Sequence, residues 1–192
     1  MAVRDTIHRQ LTYEDYVLIP EDGLRHEILD GEHYVSPAPR KAHQRVSSKL
    51  HVRLGSFVED RDLGEIYAAP FDVRFSDHDI AQPDLIFISN ERAGILNEDN
   101  AKGAPDLVVE ILSDSTRRID EGIKRRLYER AGVLEYWLVD PQRRTVTVFR
   151  RVGDGFGSVE TFSADQEDIL TTPLLPGLQI RVGEIFPPIS PT

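Results

Sequence analysis

The most constraining feature of this chain is an acid set inside an apolar strand. Pro105-Asp106-Leu107-Val108-Val109-Glu110-Ile111 is a short aliphatic and β-branched run, the pattern of a buried strand, interrupted by Asp106 and Glu110. Strand side chains alternate with period two, so these acids, four apart, share a face. A buried carboxylate is costly unless a cation or hydrogen-bond donors meet it. Beyond a polar turn the chain offers a cation, Lys124, within the helical stretch Asp120–Tyr128. A second strand, Pro83-Asp84-Leu85-Ile86-Phe87-Ile88, carries another acid at its start. Neighbouring strands bearing Asp84 and Glu110, with a lysine nearby, make an oxygen-rich pocket suited to a hard divalent cation.

The 192 residues predict one domain spanning 1–192 with a sizeable core. No apolar run is long enough to span a membrane, and Met1-Ala2-Val3-Arg4-Asp5 lacks a signal-peptide pattern, so a cytoplasmic protein is expected. The absence of cysteine excludes disulfides, thiol nucleophiles and thiolate metal sites. A net charge of −10 argues against nucleic-acid binding by bulk charge, while leaving room for a local basic patch.

In chain order, Thr12-Tyr13-Glu14-Asp15 predicts a helix start, with the helix ending near Pro20. Asp30-Gly31 between Arg25–Leu29 and Glu32–Val35 signals a hairpin whose first arm contains Glu27. A helix follows over about Lys41–Glu59, with Val46, Leu50, Leu54, Phe57 and Val58 as its core stripe and His43 in its first turn. Gly64 opens a strand to Ala69, which Phe71–Phe75 is expected to continue past Pro70. After the Asp84 strand, Ser89–Gly103 reads as a surface loop with a short helical piece. The central strand comes next, then a helix in which Asp120, Lys124 and Tyr128 form one i, i+4 row, stopped by Gly132. Glu135–Asp140 is a strand, and Thr145–Arg150 with Ser158–Phe162 forms a hairpin around Asp154-Gly155. The tail, with Pro173, Pro176-Gly177 and Pro187-Pro188, reads as a turn-rich edge. The order helix, three strands, helix, strand, with hairpins at both ends, predicts an α/β fold with a mixed sheet.

Several of these residues together resemble the Uma-two family, a group of restriction-endonuclease-like proteins in the PD-(D/E)XK nuclease superfamily. They are Glu27-Ile28-Leu29-Asp30-Gly31, Ser36-Pro37-Ala38-Pro39 with His43, Gln82-Pro83-Asp84, and Pro105-Asp106-Leu107-Val108-Val109-Glu110 with Ser113. Further along come Asp120, Lys124 and Tyr128, Gly132-Val133, and Glu135-Tyr136-Trp137-Leu138-Val139-Asp140-Pro141. The resemblance covers roughly residues 12 to 185 and implies a restriction-endonuclease-like core. It maps the superfamily's two sheet acids to Asp84 and Glu110. Leu112 stands where the superfamily has lysine, so the resemblance implies a migrated lysine, Lys124.

The implied activity is Mg²⁺-dependent cleavage of DNA, with Mn²⁺ as a possible substitute. Asp84 and Glu110 would hold the metal, which neutralises phosphoryl charge and lowers the pKa of a bound water. Lys124 would orient the water or stabilise the phosphorane. Glu27 could add a ligand, and His43 could bond a phosphate or position Glu27. Asp106 is read as structural, bonding loop amides, and Tyr128 as packing with a polar tip. A homodimer is expected by analogy with duplex-cutting nucleases. Two alternatives stay open: a catalytically inactive nuclease scaffold acting in binding or assembly, and a metal-dependent hydrolase of other phosphoesters.

Overall fold

A computed structural model describes residues 9–187; Met1–Asp5 and Pro188, used in the sequence reading, lie outside the described residues. Helix α1 (Tyr13–Tyr16) leads into β1 (Arg25–Leu29) and β2 (Glu32–Ser36), then α2 (Lys41–Glu59). Strands β3 (Gly64–Ala68), β4 (Asp72–Ser76), β5 (Asp79–Ala81), β6 (Leu85–Ser89), β7 (Asn100–Lys102) and β8 (Leu107–Ile111) follow. Helix α3 (Arg125–Ala131) precedes β9 (Glu135–Asp140), β10 (Thr145–Val152), β11 (Gly155–Ser163), β12 (Ile169–Leu170) and β13 (Ile180–Arg181).

The central sheet has six strands in the order β11-β10-β9-β8-β6-β3. Strand β6 runs antiparallel to β8, and β8 runs parallel to β9, so the sheet is mixed as expected. Helix α2, then β3, β6 and β8, then α3 and β9 reproduce the expected core order. The period-two alternation of β8 divides the core. Leu107, Val109 and Ile111 join Val46, Leu50, Leu54 and Trp137 on the α2 side. Val108 and Leu112 join Leu127, Tyr128 and Tyr136 on the α3 side, the face that carries Glu110.

A second, five-stranded sheet has the order β2-β1-β5-β4-β7. Its first hairpin turns at Asp30-Gly31, both at positive φ (53° and 78°), the geometry that an Asp-Gly pair supplies at low cost. The expectation that Phe71–Phe75 continues the Gly64–Ala69 strand is corrected: β3 lies in the six-stranded sheet and β4 in the other. Pro70, with no N–H to donate to a ladder, stands at the point where the chain changes sheet. The Ser89–Gly103 segment is also more ordered than expected. It contains a 3₁₀ turn, Asn90–Ile95, and strand β7, which pairs in parallel with β4. The second hairpin turns one residue early: Val152 pairs with Gly155, so its loop is Gly153-Asp154, with Gly153 at φ 63°.

No helix among the described residues is long and apolar enough to cross a membrane.

Candidate active site

Strand register creates the site. Leu85 pairs with Val109 and Ile86 with Val108 across β6 and β8. Continuing that antiparallel register by one residue sets Asp84 opposite Glu110, on the face that β8 turns toward α3. Like charges opposed across two strands repel, so this pairing survives only where cations intervene. Glu27, Asp84, Glu110, Asp120 and Lys124 are all 3% exposed or less, which removes water as the compensating partner.

Lys124 supplies one cation. Its Nζ lies 2.8 Å from Glu27 Oε1, 3.0 Å from Glu110 Oε1 and 3.7 Å from Asp120 Oδ1. The helix carrying it opens with a π-helical turn, Ile119–Lys124, before continuing as α3. Such wide turns recur where a helix must re-aim side chains at a functional site. Asp120, Lys124 and Tyr128 are the charged and polar row anticipated on that helix, and all three are buried. Tyr128 donates its hydroxyl to Glu110 Oε1 at 2.6 Å, and Tyr136 donates to the Asp120 carbonyl at 3.1 Å.

Asp84 has a separate set of partners. Arg25 Nη2 donates to its Oδ1 at 2.9 Å, the Ile111 amide donates to Oδ2 at 2.7 Å, and His43 Nε2 lies 3.0 Å from Oδ2. An ionised carboxylate only accepts, so His43 Nε2 carries the proton in this contact. His43 therefore meets Asp84, while the Glu27 carboxylate accepts from the Gln82 amide at 2.8 Å and meets Lys124.

These surroundings push the acids apart in proton affinity. Burial disfavours the charge on Asp84, but the His43 hydrogen bond, the positive charge of Arg25 and the Ile111 amide outweigh it, and its pKa is lowered. Burial raises Glu110 to about 8, with Lys124 pulling down and Asp120, Asp84 and Glu27 pushing up. Burial likewise raises Asp120 to about 6, against the pull of Lys124 and Thr116. Lys124 is raised: burial opposes its charge, but Glu110, Glu27 and Asp120 more than compensate. Titratable groups driven in opposite directions within one site are a mark of acid–base or charge chemistry.

The cluster opens to a cleft of about 330 Å³. One wall is Ser36 through Arg40 with Ala42 and His43; the other is Leu112 through Thr116 with Pro141 and Gln142. Arg25, Asp84, Glu110, Asp120 and Lys124 also line it, and Glu27 does not. The five residues singled out from sequence thus form two sets, Glu27 and Glu110 on Lys124 and His43 on Asp84, and all but Glu27 line the one cleft. Asp106 stands apart at the far end of β8, where it accepts the Ser89 amide at 2.7 Å and pairs with Arg92 at 3.3 Å.

Sequence reasoning gave no site role to Arg25 or Asp120. The alternation of Arg25 and Glu27 along one strand face, and the i, i+4 spacing of Asp120 and Lys124, were the available signals. Pairing of Arg25 with Asp84, 59 positions away, had none.

Among the described residues, no three or more His, Asp or Glu side chains are arranged to hold a metal ion. Magnesium needs fewer protein ligands: it is commonly held by one or two carboxylates, with waters and substrate phosphates completing its shell. Asp84 and Glu110 fit that demand. Four carboxyl groups, Glu27, Asp84, Glu110 and Asp120, converge here with two permanent cations, Arg25 and Lys124.

Comparison with known proteins bears on the fold and the family. No curated protein matches the chain. One solved structure, described as a putative nuclease belonging to DUF820 from Anabaena variabilis ATCC 29413, superposes with a TM-score of 0.77 at 21% identity. The match covers 92% of this chain and 97% of that one, and the two share a fold. Residues 13–183 match the sequence profile of the family Uma2, described as "Putative restriction endonuclease". The chain belongs to the Uma2 family.

Proposed function

We propose that this protein is a Mg²⁺-dependent endonuclease that hydrolyses phosphodiester bonds in DNA. The observation carrying this reading is that Asp84, one residue before β6, Glu110 on the neighbouring β8, and Lys124, with Nζ 3.0 Å from Glu110, all line one open cleft. Asp84 and Glu110 would hold the metal. When bound, Mg²⁺ supplies positive charge to the phosphoryl oxygens and lowers the pKa of a water molecule.

The chain's own residues do the rest. Arg25, His43 and the Ile111 amide hold Asp84 ionised and fixed in orientation. Tyr128 holds Glu110 through Oε1. Lys124 keeps a permanent positive charge where negative charge grows on a phosphoryl group, a placement that costs no reorganisation during reaction. Glu27 holds the lysine from the side away from the cleft, a positioning role in place of the ligand role expected from sequence.

The test is cleavage of supercoiled, linear duplex and single-stranded DNA with Mg²⁺ or Mn²⁺. Wild type cleaves at least one form, and Asp84→Asn or Glu110→Gln abolishes cleavage while circular dichroism stays native. Failure to cut any form sinks the proposal. A second reading has one observation in its favour: Lys124 already satisfies Glu27 and Glu110 internally, as in a structural ion network. In that case the nuclease scaffold serves binding or assembly, and calorimetry would detect no Mg²⁺ binding.

A further inference from the structure

We propose that the solvent face of α2 is a track for the phosphate backbone of duplex DNA, leading into the cleft; this rests on the nuclease reading above. From His33 to Val58 the chain has no Asp or Glu, while Arg40, Lys41, Arg45, Lys49 and Arg53 give five positive charges in a protein of net charge −10. Such segregation has a structural counterpart. Arg40, Lys41, Arg45 and Lys49 are exposed and form no ion pair among the described residues. Other arginines are consumed by acids: Arg117 meets Asp140, Arg130 meets Asp79, and Arg150 meets Glu135.

The buried stripe Val46, Leu50, Leu54 and Val58 fixes the helix rotation, so the cations must face outward. Lys41, Arg45 and Lys49 are spaced i, i+4, i+8 and therefore form a single row, with about 6 Å between successive positions. From Lys41 to Lys49 the row advances about 12 Å, or roughly four base-pair steps of duplex, and Arg53 beyond it is paired with Glu184. Its start adjoins the site: Arg40, the N-cap residue just before Lys41, lines the cleft. The first turn of α2 contains no acid, so its free amides favour an anion at the same end. A row of unpaired cations beside Arg40, which lines the cleft of carboxylates, places a backbone along the helix and leads it toward the reacting groups. It also answers how a chain of net negative charge could bind a polyanion: the contact is local, within a Debye length of the row.

The experiment is fluorescence anisotropy with a labelled duplex of about 20 base pairs in EDTA, titrated across salt from about 50 to 200 mM. Arg45→Gln, Lys49→Gln and their double variant are compared with wild type and with Lys102→Gln, an exposed cation on β7 in the other sheet. The expected result is a shallower plot of log affinity against log salt, by about 0.9 for each α2 substitution, whatever the duplex sequence, with Lys102→Gln unchanged. A double variant with wild-type affinity and slope overturns the proposal, as does absence of DNA binding by wild type. So does sedimentation with phosphatidylserine vesicles that depends on Arg45 and Lys49 while DNA binding does not. If the double variant binds and cuts DNA as wild type does, the track falls and the nuclease reading stands. If α2-dependent binding occurs and no DNA form is ever cut, the track stands and the nuclease reading falls.

Discussion

Lys124 Nζ donates to Glu110 Oε1 at 3.0 Å, bridging a helix residue to the acid at the middle of the central sheet. That contact gives the acid a donor that its apolar strand does not supply, and several outcomes follow from it.

Replacing Lys124 by Met removes the cation from Glu27, Glu110 and Asp120 together. Loss of one partner from a buried ionic cluster costs about 3–5 kcal/mol. Urea unfolding should register this through Trp137, the sole tryptophan, which is fully buried. Lys124→Arg should not rescue it, because a planar fork does not replace a compact ammonium. A Lys124→Met midpoint equal to wild type would contradict the network.

In metal-free buffer, stability should depend on the protonation of Glu110. Its folded pKa, about 8, is above its ordinary value of 4.5, so folding favours the protonated form. The stability it contributes is fully present below pH 4.5 and is lost as pH rises through about 8. Asp120 adds a smaller trend of the same sign, from 3.8 to about 6. Thermal unfolding in EDTA should therefore show a falling midpoint between about pH 5 and 8, flatter in Glu110→Gln. Adding Mg²⁺ at pH 8 should raise the wild-type midpoint by mass action and leave Glu110→Gln unmoved. A wild-type profile parallel to that of Glu110→Gln refutes this.

Tyr128→Phe deletes the 2.6 Å hydrogen bond to Glu110 and keeps the ring packed against Phe75 and Tyr136. Glu110 Oε1 keeps the Lys124 ammonium at 3.0 Å, so the loss is that of one hydrogen bond and not of the acceptor's last donor, about 0.5–1.5 kcal/mol. Chemical denaturation gives the value directly, and a change below about 0.5 kcal/mol would show that the hydroxyl bears little of the load.

Leu50 is fully buried at the middle of the α2 stripe, so Leu50→Ala should cost about 2–5 kcal/mol through lost transfer energy and a cavity. Exposed Ser48 on the same helix is the control: Ser48→Ala should fall within about 0.5 kcal/mol of wild type in the same measurement.

Much of this molecule was legible as local pattern. The helix from Lys41 to Glu59, the Asp30-Gly31 turn and the stop at Gly132, where φ is 93°, all follow from period and backbone preference within a few residues. The need of Asp84, Glu110 and Lys124 for partners was readable for a related reason. A charge in an apolar strand, and a polar row on a helix, violate the local rule and demand a partner.

The identities of those partners were decided only in three dimensions. Arg25 on β1 reaches Asp84, which precedes β6 of the other sheet, and Lys124, the last residue of a π-helical turn, reaches Glu27 on β1. The change of sheet at Pro70 and the pairing of β7 with β4 are likewise contacts between distant segments. Sequence determines which residues cannot remain alone in a dry interior, since that cost belongs to the residue and its immediate neighbours. Which distant group relieves the cost depends on strand register and helix packing, and those come from the whole chain folding at once.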